Sequence, residues 1–105
     1  MSERRWKRVE RRVARLLGAQ RVPVDGRGQA PDLTHPWLAV EVKSRQRLPQ
    51  WLRSAMAQAV RTARPEQLPL VVLHQVGHRW TEDLVLLRLA DFRAWFVGEV
   101  EDDAE

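Results

Sequence analysis

A chain of 105 residues is the usual size of one domain, and a hydrophobic fraction of 44% is enough to build a core. The absence of cysteine excludes disulfides, thiolate zinc sites and a cysteine nucleophile. No apolar run is long enough to cross a membrane, and the basic N-terminus lacks the apolar segment of a signal peptide. We therefore expect one soluble domain in the cytoplasm.

Charge is distributed unevenly along the chain. Lys and Arg number 18 against 14 Asp and Glu, a formal charge of +4, but five of the acids lie within residues 99–105. Residues 1–98 therefore carry 18 basic against nine acidic side chains, a formal charge of +9. We interpret residues 1–98 as the domain and residues 99–105 as an acidic tail. A basic body favours a polyanionic partner, most often nucleic acid, although a merely solvated basic surface is the alternative.

The predicted elements follow the order α-β-β-β-α-β-β-α. Apolar residues at three- and four-residue steps predict a first helix over 2–17 that ends at Gly18. Pro49 opens a second helix over 48–64, and Asp91 is expected to cap a third. Strands are predicted over 19–24, 32–34, 37–43, 70–74 and 84–89, with a turn over 25–29. The apolar run 70–74 suggests a strand buried on both faces, with His74 in the core. This order predicts a mixed sheet covered by helices.

Two carboxylates and a lysine stand out around the third strand. Its alternation places Glu41 and Lys43 on one face, opposite the apolar residues. If this strand and the one before it pair as a hairpin, Asp32 and Glu41 converge. Two adjacent carboxylates repel unless a cation lies between them, and hard oxygen ligands favour Mg²⁺ or Mn²⁺. An ordinary cross-strand salt bridge on a solvated face is the alternative.

Lys43 is one of only two lysines, against 16 arginines. A compact ammonium can hold a water or a phosphate oxygen as a point charge, so Lys43 could orient or help to deprotonate an attacking water.

Two further polar residues lie on the predicted helices. Glu10 falls on the apolar stripe of the first helix, where an unpaired charge is costly, so we expect a partner in a cleft. A boundary position with the carboxylate reaching solvent is the alternative. Gln58 on the second helix could hydrogen-bond a water or a metal ligand, or be an ordinary surface glutamine.

The first helix also carries a basic stripe. Arg4, Arg8, Arg11 and Arg15 follow one another at helical spacing, and stacked like charges destabilise a helix unless an anion relieves them. A nucleic-acid backbone would do so; a solvated face is the alternative. The candidate DNA-binding residues are Arg4, Arg5, Lys7, Arg8, Arg11, Arg12, Arg15, Arg27, Arg45 and Arg47.

These residues together resemble a known motif. Pro31-Asp32, followed after eight residues by Glu41-Val42-Lys43, resembles the signature of the PD-(D/E)xK nucleases. A helix bearing Glu10 precedes it and one bearing Gln58 follows it. Over roughly residues 3 to 90 the chain is similar to archaeal-type Holliday junction resolvases and, above all, to their small phage-borne relatives.

The resemblance implies a restriction-endonuclease-like sandwich, with a central mixed β-sheet flanked by helices. It implies a Mg²⁺- or Mn²⁺-dependent endonuclease that resolves four-way DNA junctions by paired phosphodiester hydrolysis as a homodimer. Such an enzyme would work in the cytoplasm of a prokaryotic or phage-infected cell. It would leave 5′-phosphate and 3′-hydroxyl ends.

The resemblance also implies a role for each site residue. Asp32 and Glu41 would hold the metal, with the Val42 carbonyl as a third ligand and Glu10 completing the shell directly or through water. Lys43 would activate the nucleophilic water and Gln58 would help to orient it. One departure is that the loop over 26–30 lacks the serine often found there in the archaeal enzymes.

Two other functions and one assembly question stay open at the level of sequence. The chain could be a nuclease for flaps, ends or single strands, or a non-catalytic basic DNA-binding module. Phe92, Trp95 and Phe96 form a helical stripe that belongs either to the core or to a dimer interface, which Trp80 would extend. Trp51 is expected to anchor the core, with base stacking as the alternative.

Overall fold

The computed structural model describes residues 5–23 and 30–98 and contains helices and two small antiparallel sheets. The helices and strands are α1 (Arg5–Leu17), β1 (Gln20–Arg21), β2 (Leu33–His35), β3 (Leu38–Val40), α2 (Gln50–Thr62), β4 (Val71–Leu73), β5 (Leu84–Leu86) and α3 (Leu89–Phe92). A 3₁₀ turn, Trp80–Glu82, lies between β4 and β5, and a π-helical segment, Arg93–Val97, follows α3. The predicted order of elements is confirmed. The predicted single mixed sheet is replaced by two antiparallel ones.

The chain forms two compact units. The first comprises Met1–Gln46 with Val97–Glu105, and the second comprises Arg47–Phe96. The interpretation of residues 1–98 as one nuclease domain stays a prediction. The predicted turn over 25–29, the acidic tail over 99–105 and the candidate residues Arg4 and Arg27 lie outside the described residues.

Helix α1 packs against the three-stranded sheet of the first unit. Its buried residues Ala14 and Leu17 are three positions apart and share one face, and Leu33 of β2 is fully buried. The helix stops where the sequence predicts, because Gly18 adopts a positive φ of 66°. The amide of Ala19 then donates a hydrogen bond of 2.8 Å to the carbonyl of Ala14, which satisfies one of the last helical carbonyls.

The sheet of the first unit has the strand order β1-β2-β3, and all pairs are antiparallel. The predicted hairpin of β2 and β3 is confirmed, with Leu33 opposite Val40. Strand β3 is shorter than the predicted 37–43 and ends at Val40. The alternation nevertheless continues beyond it, because Val42 is half-buried while Glu41 and Lys43 are exposed.

The second unit pairs helix α2 with the two-stranded sheet β4-β5. Pro49 precedes α2 as predicted, and α2 packs against β4. None of the residues 47–96 is buried. Val72 in the middle of β4 is 57% exposed, so the prediction of a strand covered on both faces is wrong. A two-stranded sheet with a helix on one side leaves its other face open.

Two other local predictions for the second unit are also wrong. His74 is exposed rather than in the core, and its Nδ1 lies 2.7 Å from Asp83 Oδ1. Asp91 does not cap α3, because the residue before the helix is Arg88. Asp91 instead accepts a hydrogen bond of 2.8 Å from Arg88 Nε, and this bond raises the pKa of Arg88.

Within residues 5–23 and 30–98, no helix combines the length and the apolarity needed to cross a membrane.

Candidate active site

Asp32 lies where the three strands of the first unit meet. Its carbonyl accepts a hydrogen bond of 3.0 Å from the Val22 amide, which continues the pairing of β1 with β2. Its side-chain Oδ2 accepts one of 2.7 Å from the Val42 amide. Its Oδ1 accepts none from the described part of the chain, so one carboxylate oxygen is available to a ligand.

Glu10 is the one charged side chain buried among the described residues, with 9% of its surface exposed. Its Oε1 accepts a hydrogen bond of 3.2 Å from Nε of Arg21 in β1, and the Arg21 side chain is 37% exposed. The expectation that Glu10 has a charged partner is therefore confirmed. The sequence does not identify that partner, because Arg21 lies on the next element and is one basic residue among many there.

A pocket of about 370 Å³ joins three of the predicted site residues. Glu10 comes from α1, Asp32 from the start of β2, and Lys43 from the segment after β3. The residues lining the pocket are Trp6, Glu10, Asp32, Val42, Lys43, Ser44 and Arg45. Three residues 11 to 33 positions apart in sequence therefore converge because α1 packs on the sheet and β2 pairs with β3.

The same pocket has an aromatic wall that the sequence did not identify. Trp6 is 41% exposed, and the ammonium of Lys7 lies 5.5 Å from the centre of its ring. Sequence periodicity assigns Trp6 only to the apolar stripe of α1. Trp6 lies four residues before Glu10 and so next to it on the helix surface, and this spacing could have placed Trp6 beside the site.

Glu41 and Gln58 are not brought into this pocket. Glu41 is exposed and absent from the pocket lining, although the register of Leu33 opposite Val40, extended by one residue, would set it opposite Asp32. Strand β3 ends at Val40, and beyond it the Val42 amide donates its hydrogen bond to the Asp32 side chain. Gln58 is an exposed residue of α2 in the second unit, and its carbonyl accepts a hydrogen bond from the Thr62 hydroxyl.

The pocket offers oxygen donors of the kind that Mg²⁺ and Mn²⁺ prefer. They are the free oxygen of Asp32, the carboxylate of Glu10 and the main chain of Val42, with exposed Glu41 nearby in sequence. In the described part of the chain, no three His, Cys, Asp or Glu side chains are grouped so that they could hold a metal ion. The chemistry of the donors thus fits a divalent cation, whereas the Glu10–Arg21 pair competes for one of them.

The basic candidates are mostly solvent-accessible. Within the described residues, the exposed ones are Arg5, Arg8, Arg11, Arg12, Arg45 and Arg47, and the half-buried ones are Lys7 and Arg15.

Comparisons with protein-family models, with curated proteins and with solved structures find no match to this chain.

Proposed function

We propose that this protein is a metal-dependent endonuclease that cuts branched DNA. The observation that carries the proposal is the convergence of Glu10, Asp32 and Lys43 on one pocket of about 370 Å³. Two carboxylates beside one ammonium supply the groups that phosphodiester hydrolysis needs: ligands for a cation, and a charge that positions water. The exposed arginines of α1, on the same unit, are suited to bind the DNA backbone.

In this proposal Mg²⁺ or Mn²⁺ would be held by Asp32 and Glu41, with the Val42 carbonyl and Glu10 completing the shell. When bound, the ion neutralises charge on the phosphate under attack and makes water a stronger nucleophile. Lys43 orients the water whose oxygen bonds to phosphorus while the bond to the 3′ oxygen breaks. The 3′ oxygen takes up a proton, leaving 5′-phosphate and 3′-hydroxyl ends. The roles of Glu41 and Gln58 rest on the motif alone.

The proposal extends to substrate, fold and assembly through the resemblance to Holliday junction resolvases. The substrate is a four-way junction, the fold a restriction-endonuclease-like sandwich, and the active form a homodimer in the cytoplasm. Two symmetric cuts are needed to separate a junction into two duplexes, and one chain offers one Asp32-Lys43 site.

A second function is favoured by a specific observation. Both carboxylates that line the pocket already have structural partners, Asp32 the Val42 amide and Glu10 the Arg21 guanidinium. In a basic DNA-binding module that does not cut DNA, these two carboxylates would serve only to stabilise the fold.

Cleavage of labelled DNA separates the two functions. We expect a four-way junction to be cut with Mg²⁺ and left intact with EDTA, and to be cut faster than a flap, a duplex or a single strand of the same sequence. A protein that binds all four DNAs and cuts none with either metal is the binding module. Preferential cutting of flaps or single strands would support the nuclease proposal and contradict the four-way junction as its substrate.

Site variants test the assignment of residues. We expect Asp32→Asn, Glu41→Gln and Lys43→Ala each to abolish cleavage while junction binding survives, because arginine contacts to phosphate supply most of the affinity. Asparagine can still accept the Val42 hydrogen bond, so Asp32→Asn removes the charge and keeps the local structure. Glu10→Gln should retain partial activity.

The matched control is Glu66→Gln, which neutralises an exposed carboxylate paired with Arg64 in the second unit and should cut normally. Wild-type rates in all three of the first variants would refute the site.

A further inference from the structure

The connection between β4 and β5 carries the two most exposed large apolar side chains of the described residues. This β4–β5 loop, residues 74–83, presents Val76 at 90% exposure and Trp80 at 80%. Between them the chain turns at Gly77, whose φ is 89°. A tryptophan this far into solvent contributes little to the core, so its ring is accessible to a ligand.

Hydrogen bonds hold the loop in one shape. At its base His74 Nδ1 lies 2.7 Å from Asp83 Oδ1, which joins the two ends of the loop. The Asp83 amide donates a hydrogen bond of 3.0 Å to the Trp80 carbonyl, closing the 3₁₀ turn. At the tip, the His78 amide donates one of 3.0 Å to the Gln75 carbonyl. An ordered loop of this kind loses little conformational entropy when it binds a partner.

The acidic groups of the loop are engaged in these contacts, whereas its arginine is not. The Glu82 carboxylate accepts a hydrogen bond of 3.1 Å from the Arg79 amide and lies 3.6 Å from His78 Nδ1. Asp83 is taken up by His74. The Arg79 guanidinium forms no ion pair within residues 5–23 and 30–98. The loop therefore presents an indole ring next to the Arg79 guanidinium, while its two carboxylates have partners within the loop.

We propose that the β4–β5 loop binds an unpaired nucleobase of the DNA substrate, with the base stacked on Trp80 and the adjacent phosphate bound by Arg79. Such a base would lie at a branch point or in a single-stranded segment. Aromatic stacking next to a cation is the common chemistry of single-strand recognition. A duplex hides its base faces, so this contact favours DNA that is not fully paired. The inference rests on the proposed function only for the identity of the substrate, since the stacking itself needs no cleavage.

The charge of the chain favours this ligand over a protein segment. Residues 1–98 carry a formal charge of +9, which attracts a polyanion. Within the loop, Arg79 lies next to Trp80, while the carboxylates of Glu82 and Asp83 contact the Arg79 amide and the His74 ring.

Binding is measured with EDTA present, so that no DNA is cut. The probes are a 20-base-pair duplex and the same duplex with a gap of three unpaired nucleotides, one of them 2-aminopurine. We expect the wild-type protein to bind the gapped DNA more tightly and to quench the 2-aminopurine fluorescence. Trp80→Ala should weaken binding to the gapped DNA by about 5- to 150-fold, while binding to the intact duplex stays unchanged. Trp80→Phe should retain most of the preference.

The matched control is Leu84→Ala, which removes another exposed apolar side chain of the second unit, 65% exposed on β5, and should leave both affinities as in the wild type. Arg79→Gln should weaken binding to the gapped DNA and lower its salt dependence. Equal preference for gapped DNA in the wild type and Trp80→Ala would overturn the proposal. So would a change of sedimenting mass in Trp80→Ala, which would assign Trp80 to an interface between copies of the chain.

The same measurements separate this inference from the proposed function. If the wild-type protein cuts no DNA but Trp80→Ala loses binding to gapped DNA, the base-binding role of the loop is supported and the nuclease proposal is refuted. If the wild-type protein cuts junctions but Trp80→Ala binds gapped DNA normally, the nuclease proposal is supported and the base-binding role is refuted.

Discussion

Glu10 and Arg21 form an ion pair in the first unit, and the stability of that unit depends on it because Glu10 is buried. The Glu10 side chain is only 12% exposed, so the guanidinium supplies most of the stabilisation of its charge. We expect Arg21→Gln to lower the free energy of unfolding by about 1–3 kcal/mol, because it leaves a buried charge without its partner. Urea denaturation followed by circular dichroism measures this loss.

A double variant measures the interaction energy of the ion pair apart from the effects of each single substitution. Glu10→Gln combined with Arg21→Gln removes both charges, so its loss of stability should be smaller than the sum of the two single losses. Additive losses would mean that the two side chains do not interact in solution. Arg64→Gln, at an exposed ion pair with Glu66, should change stability by less than about 1 kcal/mol.

At the scale of elements, the basic face of α1 makes a prediction about salt. Arg8 and Arg11 are exposed on this face, whereas Arg15 is half-buried. We expect Arg8→Gln and Arg11→Gln each to weaken binding to every DNA shape. Each should also lower the slope of log affinity against log salt by about 0.9 for every phosphate that the variant no longer neutralises. Titrations of a labelled duplex at several salt concentrations give the slope.

The control for this experiment lies in the second unit. Arg64→Gln removes the same charge from an exposed arginine of the second unit, and the slope should not change. An unchanged slope in the α1 variants would mean that this face of the helix does not contact DNA.

Elements whose limits depend on neighbouring residues could be predicted from the sequence. Helix α1 ends at Gly18 because a positive φ is easy for glycine, and α2 starts after Pro49 because proline fits the first turn. The antiparallel pairing of β2 with β3 matches the hairpin considered from the sequence, which set Asp32 beside Glu41. The structure instead brings Asp32 together with Glu10 and Lys43 in one pocket.

Features that depend on distant residues could not be predicted. The apolar run through Val72 suggests a covered strand, but the number of strands and helices around it is not encoded locally. Arg21 could not be recognised as the partner of Glu10 without the packing of α1 on β1. Glu41 matches the nuclease motif by spacing, yet β3 ends at Val40 and Glu41 does not line the pocket.

At the scale of the whole molecule, the second unit leaves apolar surface exposed. None of the residues 47–96 is buried, and a groove of about 530 Å³ runs between α2 and β5. At the end of the unit Trp95 and Phe96 are 51% and 50% exposed, and the Phe96 ring lies 5.3 Å from that of Phe92. Apolar surface of this kind is stabilised when another surface covers it. We propose that a second copy of the chain does so, as the two cuts of the proposed junction resolution would require.

The assembly prediction follows from that surface. We expect the protein at micromolar concentration to sediment at about 25 kDa, twice the 12.3 kDa of one chain. Trp95→Glu places a charge within the apolar stripe and should shift the mass to that of one chain, while junctions are nicked singly rather than cut in pairs. Trp51→Glu, at an exposed tryptophan on α2, should remain a dimer. A wild-type monomer at this concentration that still resolves junctions by paired cuts would contradict the dimer, because one site cannot make two symmetric cuts at once.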